Sequence, residues 1–251
     1  MLSSLLLPLL LSSPALESPS PEPTPSLQPL LEDEEQQGWV GSVAAGAVIQ
    51  TGNTETTTFN ATGSAEWTNK PNRFVANALW NYQEGNEQVI QRKLYGDAQY
   101  DRFYGDDLYA YGKGSADNDL QANLDLRWTL GAGAGYQFRD DDAWKLSGEL
   151  GLAYVDEAFR SGNGNAYLSA RAGYGWEWLS NPYFRAGQTG EVFPSLEESD
   201  DVYGRMDTYL STNLSESIFL KLQWVWTYDN TPDEGNERSD NLYSLTVGWS
   251  F

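Results

Sequence analysis

The 251-residue chain contains no cysteine and no histidine. These two absences remove disulfide frameworks, Cys/His zinc sites and every nucleophile that depends on an imidazole base. Basic residues are also scarce: 15 Lys and Arg stand against 36 Asp and Glu, for a formal net charge of -21. A chain so poor in cations is unsuited to neutralising a phosphate backbone, so nucleic acid is excluded as a partner. After the first residues there is no apolar run long enough for a membrane helix. Aromatics, by contrast, are plentiful, with 10 Trp, 15 Tyr and 9 Phe beside 24 Gly. Those residue types suit strands, tight turns and interfacial belts.

The opening stretch, "MLSSLLLPLLLSSPA", is Leu-rich and ends in small residues, Ser13-Pro14-Ala15. It reads as a signal peptide over residues 1–15, although the basic n-region is missing. Residues 16–37 are Pro-rich and then acidic, too poor in apolar side chains to fold, and read as a disordered linker. Residues 38–251 form the folded unit.

From Gly38 onward about twelve segments alternate apolar and polar residues, each near the length that a tilted strand needs to cross a bilayer. In "LQANLDLRWTLGAGAGYQF" the apolar set Leu124, Leu126, Trp128, Leu130, Ala132, Ala134, Tyr136 and Phe138 alternates with Asn123, Asp125, Arg127, Thr129, glycines and Gln137. The last segment, "NLYSLTVGWSF", places Tyr243, Leu245, Val247, Trp249 and Phe251 on one face. An aromatic residue at the end of such a strand resembles the signal by which outer-membrane barrels are handed to their insertion machinery. Closing the last strand onto the first also removes a free edge.

Alternation alone fits a soluble barrel with a greasy interior equally well. Two further patterns favour a membrane. Aromatics on the apolar face fall near strand ends, as with Trp67, Phe74, Trp80, Tyr82, Tyr100, Phe138, Trp144, Tyr154, Trp176, Trp178, Phe184 and Trp249, while Ala, Gly, Leu and Val fill the middles. That is the layout of two girdles around a lipid band. Connections alternate in length as well: "NKP", "YGDD", "RDDD", "SNP" and "SES" are short, whereas "EGNEQVI", "DEAFRSGNGN", "EVFPSLEESDD" and "DNTPDEGNERSDN" are longer.

The polar face carries charge of both signs: Glu66, Lys93, Asp97, Asp101, Lys113, Asp125, Arg127, Lys145, Glu149, Arg171, Glu177, Arg185, Arg205, Asp207 and Lys221. Each Arg or Lys turned to the bilayer midplane would cost about 2–4 kcal/mol. These groups are therefore expected to line a lumen, either cross-linked as an ion-pair plug or bordering a narrow aqueous path. Excess negative charge sits in the linker and long loops, including Glu197, Glu198, Asp200, Asp201, Asp233, Glu234, Glu237 and Asp240. Clustered carboxylates attract divalent cations, but no ligand spacing marks a site, and a solvated acidic loop is the favoured reading. Asp97 and Asp101 could be drawn as an acid–base pair; a hydrogen-bonded rung is the simpler account. "GAGAG" at 131–135 lacks the following helix that a phosphate loop requires.

The first hairpin, with Trp39-x-Gly41-Ser42, the turn Thr51-Gly52-Asn53-Thr54, a Thr-rich strand and then Arg73-Phe74, resembles the opening of the YdiY-like family of salt-induced outer-membrane proteins. The resemblance implies an outer-membrane barrel connected with osmotic or acid stress and brings no catalytic residues with it. The expectation is an all-β, closed, antiparallel up-and-down transmembrane barrel of about twelve strands in a Gram-negative-type outer membrane. It is expected to be a monomer without cofactor, whose partners are lipid, the insertion machinery and at most divalent cations at the loops. It would act as a narrow pore or an envelope-integrity protein. The alternatives are a soluble secreted barrel holding an apolar ligand and a histidine-free barrel enzyme acting on lipids.

Overall fold

The computed structural model describes residues 38–51 and 55–251. The signal peptide, the linker and the Gly52-Asn53 turn expected from the sequence lie outside the described residues. Twelve strands follow one another: β1 (Gly38–Gln50), β2 (Thr56–Asn69), β3 (Asn72–Gly85), β4 (Gln88–Phe103), β5 (Leu108–Asp119), β6 (Leu124–Asp140), β7 (Trp144–Phe159), β8 (Gly164–Asn181), β9 (Phe184–Pro194), β10 (Val202–Asn213), β11 (Ile218–Asp229) and β12 (Ser239–Ser250). Each strand pairs antiparallel with its neighbours in sequence, and β12 returns to β1, so the sheet is a closed up-and-down barrel.

Closure satisfies the backbone groups that an open sheet would leave bare, a requirement for any sheet set in hydrocarbon. The outward face is correspondingly apolar. Leu150 is 70% exposed, Leu130 64% and Leu152 53%, with Val43, Leu222, Leu245 and Val247 also exposed. A soluble monomer rarely leaves an apolar surface of this extent open to water. A girdle encircles the barrel near the Gly38/Phe251 end, where outward aromatics stand opposite one another across successive strands: Trp39 and Trp67, Trp67 and Phe74, Phe74 and Tyr100. Trp144, Trp176, Trp178, Phe184 and Phe138 continue it on β6–β9, and Trp249 lies 5.2 Å from Phe251 between ring centres. At the opposite end Trp80 stacks on Tyr82 and Trp224 on Tyr243, while Trp128 meets Tyr154 at a tilt.

Several strands run further at that opposite end than their hydrophobic pattern shows. The "EGNEQVI" link is a two-residue turn in which Asn86 (φ 50°) and Glu87 (φ 62°) both take the left-handed conformation of a tight hairpin. Residues Asp156–Phe159 continue β7 and Glu191–Pro194 continue β9. Ladder hydrogen bonds need no apolar side chains, so the sheet extends beyond the apolar band of the outer wall into polar sequence. The β11–β12 connection is shortened as well, to residues 230–238, and is still the longest among the described residues.

One seam differs from the rest. β1 pairs with β2 along its whole length, from Gly38↔Thr68 to Gln50↔Thr56, but with β12 only from Ser42↔Ser250 to Ala45↔Val247. Two backbone hydrogen bonds between Gly41 and Phe251, of 2.8 and 3.0 Å, extend that ladder at its lower end. It stops where a Cβ on Gly46 would run into the Leu245 carbonyl. Glycine is thus the residue that lets β12 pass so close to β1.

The interior is not purely ionic. Ala153, Val155, Tyr167, Phe193 and Tyr203 form a buried apolar cluster, and Leu79, Tyr95 and Val225 form a second, against which Leu242 packs. Glycines make room for other inward rings: a Cβ on Gly187 would sit 2.6 Å from the Tyr209 ring, and one on Gly135 would sit closer still to that of Tyr109.

Candidate functional site

The inward side chains of the wall meet inside the barrel. Because side chains alternate across a strand, charges two residues apart project into the same space and stack as rungs. On β4 Asp101 is fully buried and accepts from Arg73 Nε at 2.8 Å and Gln99 Nε2 at 2.9 Å. Gln99 also donates to Glu149 Oε1 at 2.7 Å, and Tyr109 donates to the same oxygen at 2.9 Å. Arg171, 4% exposed, bridges Glu149 Oε2 at 2.8 Å and Glu191 Oε2 at 3.0 Å, and Lys113 Nζ closes the series on Glu191 at 2.9 Å. One ladder of ions and hydrogen bonds therefore ties β3, β4, β5, β7, β8 and β9 across the lumen. Aromatic faces cover its cations: Arg73 lies 5.3 Å from the Tyr109 ring centre and Arg171 4.9 Å from that of Tyr111.

A second group lies toward the opposite mouth. Arg127 is buried between Glu157, at 2.5 Å, and Asp229, with the Tyr203 ring 4.1 Å from its guanidinium carbon. Lys93 and Asp119 pair at 2.8 Å. Arg205 stacks on Tyr95 at 3.6 Å, 4.0 Å from Asp207, and its Nη1 has no hydrogen-bond partner. Asp207 accepts from Gln223 at 2.6 Å; nearer the Gly38/Phe251 end, Tyr209 donates to Glu177 at 2.5 Å.

The remaining residues read from the sequence as lumen-lining are less enclosed. Glu66 accepts from Thr68 at 3.2 Å, Asp97 from Asn77 at 3.3 Å, and Lys221 is half-buried. Lys145 and Arg185 are exposed near the Gly38/Phe251 end, as are the inward Ser64, Asn77 and Thr189. Asp125 stands at the bulge between Leu124 and Leu126, its carboxylate 63% exposed and 3.5 Å from Arg160, apart from the ladders. The bulge also turns Leu124 from the lipid-facing row to a buried position. Asp97 and Asp101 occupy separate rungs, with partners of their own.

Sequence reasoning missed five of the lumen's ionic partners, Arg73, Asp119, Glu157, Glu191 and Asp229. Glu157, Glu191 and Asp229 lay in segments read as loops, and Arg73 was read only as a strand start. The inward tyrosines, Tyr95, Tyr109, Tyr111, Tyr167, Tyr203 and Tyr209, carried no signal of their own, because a ring with a polar tip suits both a lipid interface and a crowded lumen. Strict parity with Lys113 would have placed Tyr109 and Tyr111 inside.

Loops cover the mouth opposite Gly38 and Phe251. Asp233 of the β11–β12 connection is buried, accepting from Ser161 Oγ at 2.7 Å, Asn163 Nδ2 at 3.3 Å and Asn123 Nδ2. Asn236 donates to the Ala122 carbonyl at 3.1 Å. The Ser161 hydroxyl and the Asn123 amide hold the Asp233 carboxyl below the usual carboxylate range. Asp201, in turn, accepts from Asn165 at 2.7 Å and Thr231 at 3.0 Å. Several acidic loop residues are thus pins between loops, and among the described residues no three acidic side chains converge as a metal site would need. Beneath the cover a cavity of about 30 Å³, lined by Lys93, Asp117, Asp119, Arg127, Asp229 and Asp240 among others, has room for about one water.

A family model described as "Protein of unknown function, DUF481" matches residues 43–251. No curated protein matches the sequence. Among solved structures the chain is similar to the NanC porin (9% identity, 84% of this chain and 98% of that one, TM-score 0.48). It is also similar to the translocator domain of the autotransporter NalP from Neisseria meningitidis (13%, 85% and 87%, 0.43). A third is the outer membrane channel DcaP of Acinetobacter baumannii (10%, 85% and 96%, 0.42). At these values the functional reading rests on the geometry of this barrel itself.

Proposed function

Because the chain belongs to the DUF481 family, whose function is unknown, we propose from the barrel's geometry that it is an outer-membrane protein closed to free solute flow. Its role would be in envelope integrity rather than general permeation. The observation that carries this reading is the ladder from Arg73 through Asp101, Gln99, Glu149, Arg171 and Glu191 to Lys113, which crosses the lumen between β3 and β9 with buried and part-buried, mutually paired side chains. A general diffusion pore keeps such groups hydrated along its wall; here they touch one another across the lumen. The outward Leu and Val band and the aromatic girdles support a bilayer setting, with the Gly38/Phe251 end toward the periplasm, the side of short turns in such barrels. Insertion would use the aromatic strand Tyr243, Leu245, Val247, Trp249 and Phe251, and a link to osmotic or acid stress follows from the family resemblance alone. A chain without imidazole or thiol lacks the usual nucleophiles and bases, which favours a non-enzymatic role.

Planar-bilayer recording tests the reading. Wild-type protein should give no steady conductance steps, whereas Arg171→Ala combined with Lys113→Ala should produce them. Stable steps from the wild type would refute the closed lumen.

A further inference from the structure

Three cations stand on the outer wall among the described residues: Arg92 and Arg102 by the simple alternation of β4, and Arg139 by a break in that of β6. By simple alternation Arg139 would follow Gln137 into the lumen. A bulge between Gln137 and Arg139 shifts the register, so that Arg139 stands opposite Leu146, an outward residue that in turn pairs with Trp176. Re-aiming a side chain is what bulges do. Arg139 is thereby placed at the edge of a groove of about 400 Å³ on the outside of the barrel, whose other walls are Trp144, Leu146 and Trp176. The two indoles lie 6.2 Å apart between ring centres. The groove sits beside the β6–β7 turn, at the level of the girdle near Gly38 and Phe251.

Asp141 does not use up the guanidinium. Its Oδ1 accepts from the backbone N–H groups of Ala143 and Trp144, each at 2.9 Å, and its Oδ2 takes only Arg139 Nε. The carboxylate thus orients the guanidinium from one edge. Both terminal amino groups are left without a protein partner among the described residues, in a side chain 53% exposed. A planar fork of two donors matches the paired oxygens of a phosphodiester.

We propose that this groove is a phospholipid site, with the phosphodiester on the terminal nitrogens of Arg139 and an acyl chain against Trp144, Leu146 and Trp176. The lipid belongs to the leaflet that meets the short-turn end. The proposal rests on the membrane-spanning reading, and the test separates the two. Wild-type barrel is reconstituted with phosphatidylglycerol carrying a diazirine in its acyl chain, or with a diacylglycerol bearing the same chain and no phosphate, and the crosslinked residues are mapped by mass spectrometry. Phosphatidylglycerol should label the Trp144, Leu146 and Trp176 positions about fivefold above the Val43 and Trp249 sector of the same end, where β1 and β12 carry no Lys or Arg, the scale of a partly exposed charge-assisted contact. The diacylglycerol should label both sectors alike. Arg139→Gln should remove the excess while the folded band on an unheated gel persists, and Arg139→Lys should keep only part of it. Uniform labelling by phosphatidylglycerol, or an excess that survives Arg139→Gln, overturns the site. Absence of label from Leu130, Leu150 and Leu222 as well would overturn the membrane reading together with it.

Discussion

Replacing Arg171 by Ala removes the cation from the centre of the lumen ladder and leaves two carboxylates behind. Its guanidinium is 4% exposed and lies 2.8 Å from Glu149 and 3.0 Å from Glu191, whose own side chains are 12% and 8% exposed. Glu191 keeps Lys113 at 2.9 Å, but Glu149 is left with the neutral donors Gln99 and Tyr109. Losing one partner of a buried pair costs about 3–5 kcal/mol, chiefly because the remaining charge is stranded. Since Lys113 persists, a value of about 3 kcal/mol is expected. Unfolding from lipid vesicles by urea, followed by tryptophan emission and by heat-modifiable gel migration, measures the loss. Adding Glu149→Gln to Arg171→Ala should recover at least half of it, because the stranded charge is then gone; the double-mutant cycle gives the coupling. A loss below about 1 kcal/mol, or no recovery in the double variant, would mean that the pairs are screened by water as at a surface, and the packed lumen would be wrong.

Three further outcomes are expected. Gly46→Val drives a side chain into the Leu245 carbonyl and should lower the heat-resistant folded fraction, whereas the same change at Gly112, which has open space around it, should not. Phe251→Ala removes the ring that covers Gly41 at the short β1–β12 ladder, so the yield of closed barrel in a lipid refolding assay should fall; an unchanged yield would show that the backbone pairing suffices. The Asp233 carboxyl is held below its unfolded value by Ser161 and Asn123, so its contribution to loop closure is present above the unfolded carboxylate range, about pH 4, and is lost as pH falls through the lower folded value. The protection of residues 231–238 against hydrogen exchange, measured relative to the intrinsic rate at each pH, should therefore fall only in acid, and Asp233→Asn should show the low protection already at neutral pH.

Strand count and direction could be read from the sequence because each segment carries its own period. The rows containing Leu130, Leu150, Leu222 and Val247 sort themselves by hydrophobicity, and every one of these residues is exposed on the outer wall. The ends of strands were less legible. Beyond the apolar band both faces are polar, so Glu157, Glu191 and Asp229 look like loop charge although the first two lie within the ladders of β7 and β9 and Asp229 pairs with Tyr203 at the end of β11.

What the chain settles locally, then, is a barrel with a greasy outside and a charged inside, because side-chain alternation and aromatic placement are properties of single strands. Which carboxylate meets which guanidinium is a property of closure. Arg171 and Glu149 come from adjacent strands, but Lys113 and Glu191 lie 78 residues apart and meet only once the sheet has curled round. Closure also decides that the acidic β11–β12 loop lies across a mouth, that the β1–β12 ladder stops at Gly46, and that a bulge turns Arg139 outward. None of these has a period, since each depends on the distance between elements that the fold alone brings together.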